Sequence, residues 1–237
     1  LDEVVDVEYV STGVKGLDEL LGGGIPKGNV VAIIGAFGTG KSTLAMQFIW
    51  EGLKNDEKCI FISLEEDEKS LIESAAMFGW DFKKYMESRK LVLVRLEPSD
   101  AKTSVSRVRS DLPVYIKNFG ASRVVLDSVS LLSMMFSSDI ERRMALFTLC
   151  NIIKSTSATA IFTAEASEDK PTMSRDGITE YVVDGVIVLQ QLRMLERGES
   201  QLCLQVMKMR KTPHSRRIKP YSITSQGIVV HIDAEIF

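Results

Sequence analysis

The chain has 237 residues, 45% hydrophobic and 26% charged, with a formal net charge of −3. That length suits one large α/β domain better than two full ones, and the composition excludes disorder, collagen-like repeats and a generally basic nucleic-acid binder. The charge is uneven, because residues 208–219 hold six Lys/Arg and no Asp/Glu, which leaves the remainder at −9.

The longest apolar stretches, Val30–Phe37 and Val124–Phe136, are short or broken by Asp127, whereas a membrane-spanning helix needs roughly 20 apolar residues. The acidic start (Asp2, Glu3, Asp6, Glu8) has the wrong sign for a signal peptide. Cys59, Cys150 and Cys203 form no CxxC pair, so we expect three small core residues in a cytoplasmic protein, without disulfide or cysteine–zinc framework.

In chain order, apolar strands are expected at Val30–Gly35, Cys59–Leu64, Leu91–Val94, Arg123–Asp127, Thr159–Thr163 and Gly185–Leu189. Helices fall between them at Lys41–Leu53, at Glu68–Phe78 before the stop Gly79, and at Ser138–Lys154, where Ser138 and Glu141 have capping-box spacing. Strand–helix alternation of this kind implies a mostly parallel sheet covered on both faces. The tail differs: Gln201–Met209, Ile218–Thr224 and Ile228–Ile232 read as antiparallel strands that extend the sheet. We expect one domain over 1–237, with a core of about 11–195 and an extension of about 196–237 too small to fold alone.

The first strand runs into Gly35-Ala36-Phe37-Gly38-Thr39-Gly40-Lys41-Ser42, which matches GxxxxGK[ST] at every fixed position and opens an amphipathic helix. Gly35, Gly38 and Gly40 let backbone N–H groups approach phosphate oxygens without Cβ clashes. The helix beginning at Lys41 adds its positive dipole end, while Lys41 reaches the β- and γ-phosphates and Ser42 ligates Mg²⁺. The expected nucleotide-binding set is Gly35, Phe37, Gly38, Thr39, Gly40, Lys41, Ser42 and Thr43. The expected ligands are a nucleoside triphosphate and Mg²⁺.

Hydrolysis needs a metal-side carboxylate and a group that positions water. Asp127 ends an apolar strand and should stand beside the phosphate loop and hold Mg²⁺ through water; an Asp that only caps the next helix is the alternative. Glu65 and Glu66 end the strand Cys59–Leu64, and one of them can polarise the attacking water. The run Glu65–Glu68 also reads as an acidic first helical turn, which accounts for Asp67 and Glu68 but not for carboxylates that start at the strand end. Glu165 ends a further strand and is a weaker candidate for sensing phosphate.

These residues resemble the KaiC-like branch of the RecA-type ATPases, most closely its single-domain archaeal members. The lead-in Ser11-Thr12-Gly13-Val14-Lys15-Gly16-Leu17-Asp18 with Gly23-Gly24-Ile25-Pro26, the stretch Phe78-Gly79-Trp80-Asp81-Phe82, and Lys208-Met209-Arg210 with His214 carry the resemblance beyond the phosphate loop. It implies a RecA-like fold and a ring, commonly a hexamer, with ATP held between neighbours. Lys208 and Arg210 would then project toward the phosphates of the next subunit, and His214 and the region of Thr224 would line the neighbour's nucleotide. A plain solvated basic strand or a nucleic-acid patch is the alternative for 208–219. Two departures stand out. Thr224 is followed by Ser225 where the family often has Asp, and Glu180 and Tyr181 stand where the autokinase half of the clock protein carries a Ser-Thr pair. A hydrolytic chain is expected rather than a clock-type autokinase.

Two other functions compete. A nucleotide-driven assembly switch would use the same site, with an unidentified protein partner and negligible turnover. A RecA/RadA-type DNA-binding recombinase should carry basic loops. The loop Ser167–Gly177 instead sets Lys170 and Arg175 against Glu168, Asp169 and Asp176, which speaks against nucleic acid.

Overall fold

The computed structural model describes residues 7–96, 111–194 and 199–236. The expected boundary near residue 195 falls outside them. In chain order the elements are β1 (Tyr9–Val10), α1 (Leu17–Leu20), β2 (Ile25–Pro26), β3 (Val30–Gly35), α2 (Lys41–Lys54), β4 (Cys59–Ser63), α3 (Glu68–Ala76), α4 (Phe82–Glu87) and β5 (Leu91–Arg95). A helix over 111–119, α5, follows. Then come β6 (Arg123–Asp127), α6 (Val129–Met134), α7 (Asp139–Ser155), β7 (Thr159–Glu165), α8 (Thr179–Val182), β8 (Gly185–Met194), β9 (Glu199–Met209), β10 (Lys219–Thr224) and β11 (Gly227–Val230).

Nine strands form one sheet in the order β11-β10-β9-β8-β3-β7-β6-β4-β5. From β8 to β5 all pairs are parallel, and the pairs from β8 through β11 are antiparallel. The expected fold class is therefore the observed one. Burial follows the two-residue period of a strand. Val31 and Ile33 of β3 join the core under α2, α3 and the tail, while Val30, Ala32 and Ile34 join the core under α5, α6 and α7. Both faces are covered, so the parallel strands read as continuous apolar runs.

Helix starts follow local chemistry. Asp67 accepts from Ser70 N (2.8 Å) to cap α3, Asp81 accepts from Lys84 N (3.0 Å) to cap α4, and Ser138 accepts from Glu141 N (3.2 Å) to cap α7. The three cysteines are buried and unbridged. Burial lifts the Cys59 and Cys150 thiols to about 12, which makes them inert packing groups. Among the described residues no helix is long and apolar enough to cross a membrane.

Candidate active site

β3 ends at the centre of the sheet, flanked by β7 and β8, where ligands of open α/β sheets bind beyond the strand carboxyl ends. Gly35 is demanded by contact, because a Cβ there would lie 2.6 Å from Thr39 Oγ1 and 2.8 Å from Leu189 O. Gly40, at φ +86°, caps α2 with no side-chain hydrogen bond. The first-turn N–H groups of α2 are thus left, with the helix dipole, to face an anion. Thr39 Oγ1 donates to Ala36 O (2.8 Å), as does Lys41 Nζ (3.0 Å), and Phe37 projects from the loop at 94% exposure.

The tail braces this loop. Tyr221 of β10 donates its hydroxyl to Thr39 O at 2.5 Å, and a Cβ on Gly40 would come within 2.8 Å of Ile223 Cδ1. Nothing in the sequence marks Tyr221, because its partner lies 182 residues away and is a backbone carbonyl.

The carboxylates converge on the same edge. The parallel register sets Ser63 against Asp127, so β4 and β6 end side by side. Asp127 is 3% exposed and accepts a hydrogen bond from Thr163. Burial raises its carboxyl pKa; the hydrogen bonds from Thr163 and Ser42 oppose the rise, Glu66 adds to it, and Lys41 lowers it. Burial lowers the Lys41 pKa, against the pull of Asp127, Glu165 and Glu65. Glu65 N and Glu66 N donate to Ser63 Oγ at 3.2 and 2.8 Å. Glu65 Oε1 accepts from Ser128 Oγ (2.9 Å), and Glu66 Oε2 accepts from Ser70 Oγ (2.5 Å). Both glutamates precede the α3 cap at Asp67, so they belong to the strand end and not to the helical turn. Glu165 pairs with Arg175 at 2.9 Å, and its N–H donates to Ser130 Oγ.

The residues fit the expected ligands. Ser42 Oγ and the Asp127 carboxylate are hard oxygen donors at the same sheet edge. Among the described residues no group of three or more His, Cys, Asp or Glu forms a protein-only metal cage. Magnesium held by one or two protein oxygens and completed by phosphate suits that pattern.

The family described as the KaiC ATPase matches residues 10–235. The chain belongs to the KaiC family of ATPases. It is 35% identical to a UPF0273 protein of Pyrococcus furiosus over 96% of this chain and 95% of that protein. A solved KaiC-like protein of Pyrococcus horikoshii superposes with a TM-score of 0.84 at 35% identity, covering 95% of this chain and 99% of that one. The circadian clock oscillator protein KaiC of Acaryochloris marina is 29% identical over 94% of this chain but only 44% of its own length. The family match spans residues 10–235 and includes the P-loop of this KaiC-family chain.

The basic pair of this KaiC-family chain stands elsewhere. Met209 pairs with Gly185 at the start of β8, and Asp184 N donates to Val30 O at the start of β3. Lys208 and Arg210 therefore sit at the amino edge of the sheet, and the phosphate loop sits at the carboxyl edge. The length of β3, Val30 to Gly35, separates the two, five steps of ~3.3 Å or about 17 Å. A bulge between Val186 and Ile187 leaves Met207 unpaired just before the pair, a device that re-aims neighbouring side chains. His214 lies in the 210–218 connection with Nε2 buried and unbonded, near Leu20, whose carbonyl accepts from Ser215 N. Thr224 instead follows Ile223 beside the phosphate loop of its own chain, with Oγ1 donating to Gly227 O at 2.9 Å.

Proposed function

We propose that this chain hydrolyses ATP to ADP and phosphate in a homo-oligomeric ring, a hexamer by family resemblance, and that turnover serves a regulatory role through a protein partner. The observation that carries it is the meeting of Lys41, Ser42, Asp127 and the Glu65-Glu66 pair at one sheet edge beside an uncapped helix start. The loop N–H groups and Lys41 hold the phosphates, and Lys41 must exchange its bond to Ala36 O for a phosphate oxygen. Ser42 and Asp127 would hold Mg²⁺, which would neutralise phosphate charge. Glu65 or Glu66 takes the proton of the attacking water. Thr224 is in reach of the nucleotide of its own chain, and His214 of a neighbour's.

Charge gathers on the transferred phosphoryl oxygens, and a cation delivered from outside stabilises it. Lys208 and Arg210 are too far from their own loop to do so, which supports delivery to the next subunit. Arg175, a basic side chain of the 167–177 loop, is engaged by Glu165, so that loop offers little to a nucleic acid. The test is phosphate release from Mg²⁺-ATP with Lys41→Ala as the blank. Release above the blank is expected; bound ATP without release would replace the enzyme with an assembly switch.

A further inference from the structure

Asp184 precedes β8 and is 2% exposed. Its backbone ties two strands, with its N–H donating to Val30 O (2.8 Å) and its carbonyl accepting from Arg210 N (3.0 Å). Its carboxylate is fully engaged: Oδ2 accepts from Val30 N (3.0 Å), while Oδ1 accepts from Lys154 Nζ (2.6 Å) and, at 3.4 Å, from an Arg210 guanidinium nitrogen. Lys208 lies alongside but donates to two carbonyls at the end of α8, Glu180 O (3.1 Å) and Val183 O (2.6 Å). Burial, then the adjacent Arg210 charge, holds the Lys208 amine below the ordinary lysine range. One carboxylate therefore serves two cations, Lys154 and Arg210, so a positive charge remains in excess, with the Lys208 ammonium beside them.

The distances divide the work. Lys154 takes the close contact with Asp184, and Arg210 keeps the long one with its side chain 51% exposed. A guanidinium carries five N–H donors in a fixed fork; only the one facing Asp184 is engaged among the described residues. Arg210 is thus tethered at one corner and open to an anion at the others. Lys154 prevents the carboxylate from neutralising it. A cleft of about 620 Å³ adjoins this edge, lined by Lys154, Lys211 and a Lys27 already paired with Glu8 at 2.8 Å, so its positive field comes mainly from Lys211 and Lys154.

We infer that Asp184 is the positioning residue for Arg210, fixing where its guanidinium points toward the triphosphate of a neighbouring copy, with Lys154 keeping it uncancelled. This rests on the cross-subunit ATPase proposed above. Displacing a catalytic cation by about 1 Å can cost up to about a hundredfold in rate, so small changes in the tether should be visible.

The experiment compares kcat and KM for Mg²⁺-ATP in the wild type, Asp184→Asn, Lys154→Met, Arg210→Ala and the two doubles carrying Arg210→Ala. Asp184→Asn is expected to lower kcat about tenfold or more with KM within about twofold. Lys154→Met, at a side chain 35% exposed, should also lower kcat severalfold by letting Asp184 capture Arg210. In the Arg210→Ala background neither substitution should matter further, since both act through Arg210. Effects that multiply with Arg210→Ala, or a Lys154→Met protein with wild-type kcat, would overturn the positioning role while leaving the ATPase intact. Wild-type turnover by Arg210→Ala itself would overturn the cross-subunit chemistry, and the role of Asp184 with it. Should Asp184→Asn fail to fold, the Lys154→Met pair decides alone.

Discussion

Asp127 stands between Ser42 and Thr163 with its carboxyl pKa pushed up by burial, so it weakens the fold that it serves. A group with a raised folded pKa supports folding fully only below the ordinary carboxylate range, and that support is lost as pH climbs through the folded value. Asp127→Asn should therefore raise the thermal midpoint at neutral pH, by about 2–4 °C for ~1 kcal/mol. The gain should shrink in acid, and Mg²⁺-dependent turnover should be lost. A pH series of melting curves checks the sign; a destabilised variant at neutral pH would refute it. Tyr221 makes the opposite kind of contribution. Tyr221→Phe leaves Thr39 O without its partner, a loss of about 1 kcal/mol that should weaken ATP binding about fivefold, measured by titration with a fluorescent analogue. The two residues differ in legibility. Phosphate chemistry dictates residue types at fixed spacing, so the P-loop over 35–42 can be read from the sequence, as can the strand that ends at Asp127. Tyr221 acts on a carbonyl brought near only by the tail's register.

At the scale of elements, long apolar strands and amphipathic helices were legible because their period is written along the chain. Arg123–Asp127 begins and ends as expected, and Ser138 caps α7. Short elements were not. α6 follows β6 after a single residue, Ser128, so the apolar run Val124–Phe136 hides a strand and a helix. α4 buries only Phe82, too little to make a period. Arg123 also passed unnoticed as one charge at a strand start. It is buried, pairs with Glu57 at 2.8 Å, donates to Ser11 O and Phe48 O, and lies over the Phe48 ring. It thereby joins β6 to α2 and to the lead-in. Arg123→Met should cost about 3 kcal/mol by stranding these partners, read from denaturant melts; an unchanged midpoint would show that the junction is held by packing alone.

Across the whole molecule, strand order separates two half-sites. The parallel strands bring the phosphate loop, Asp127 and the glutamates to the carboxyl edge, and the antiparallel β9 carries Lys208 and Arg210 to the amino edge. Sequence spacing alone could not reveal that separation, because it depends on β9 returning along β8. In the proposed ring, head-to-tail contacts would bring the amino-edge cations of one chain to the carboxyl-edge carboxylates of the next. The most direct measurement mixes Arg210→Ala protein with the Glu65→Gln, Glu66→Gln double variant and follows phosphate release. Each is expected to be inactive alone, and mixed assemblies should recover activity, since some interfaces unite an intact Arg210 with intact glutamates. No recovery after proven subunit exchange would contradict catalysis across the subunit boundary.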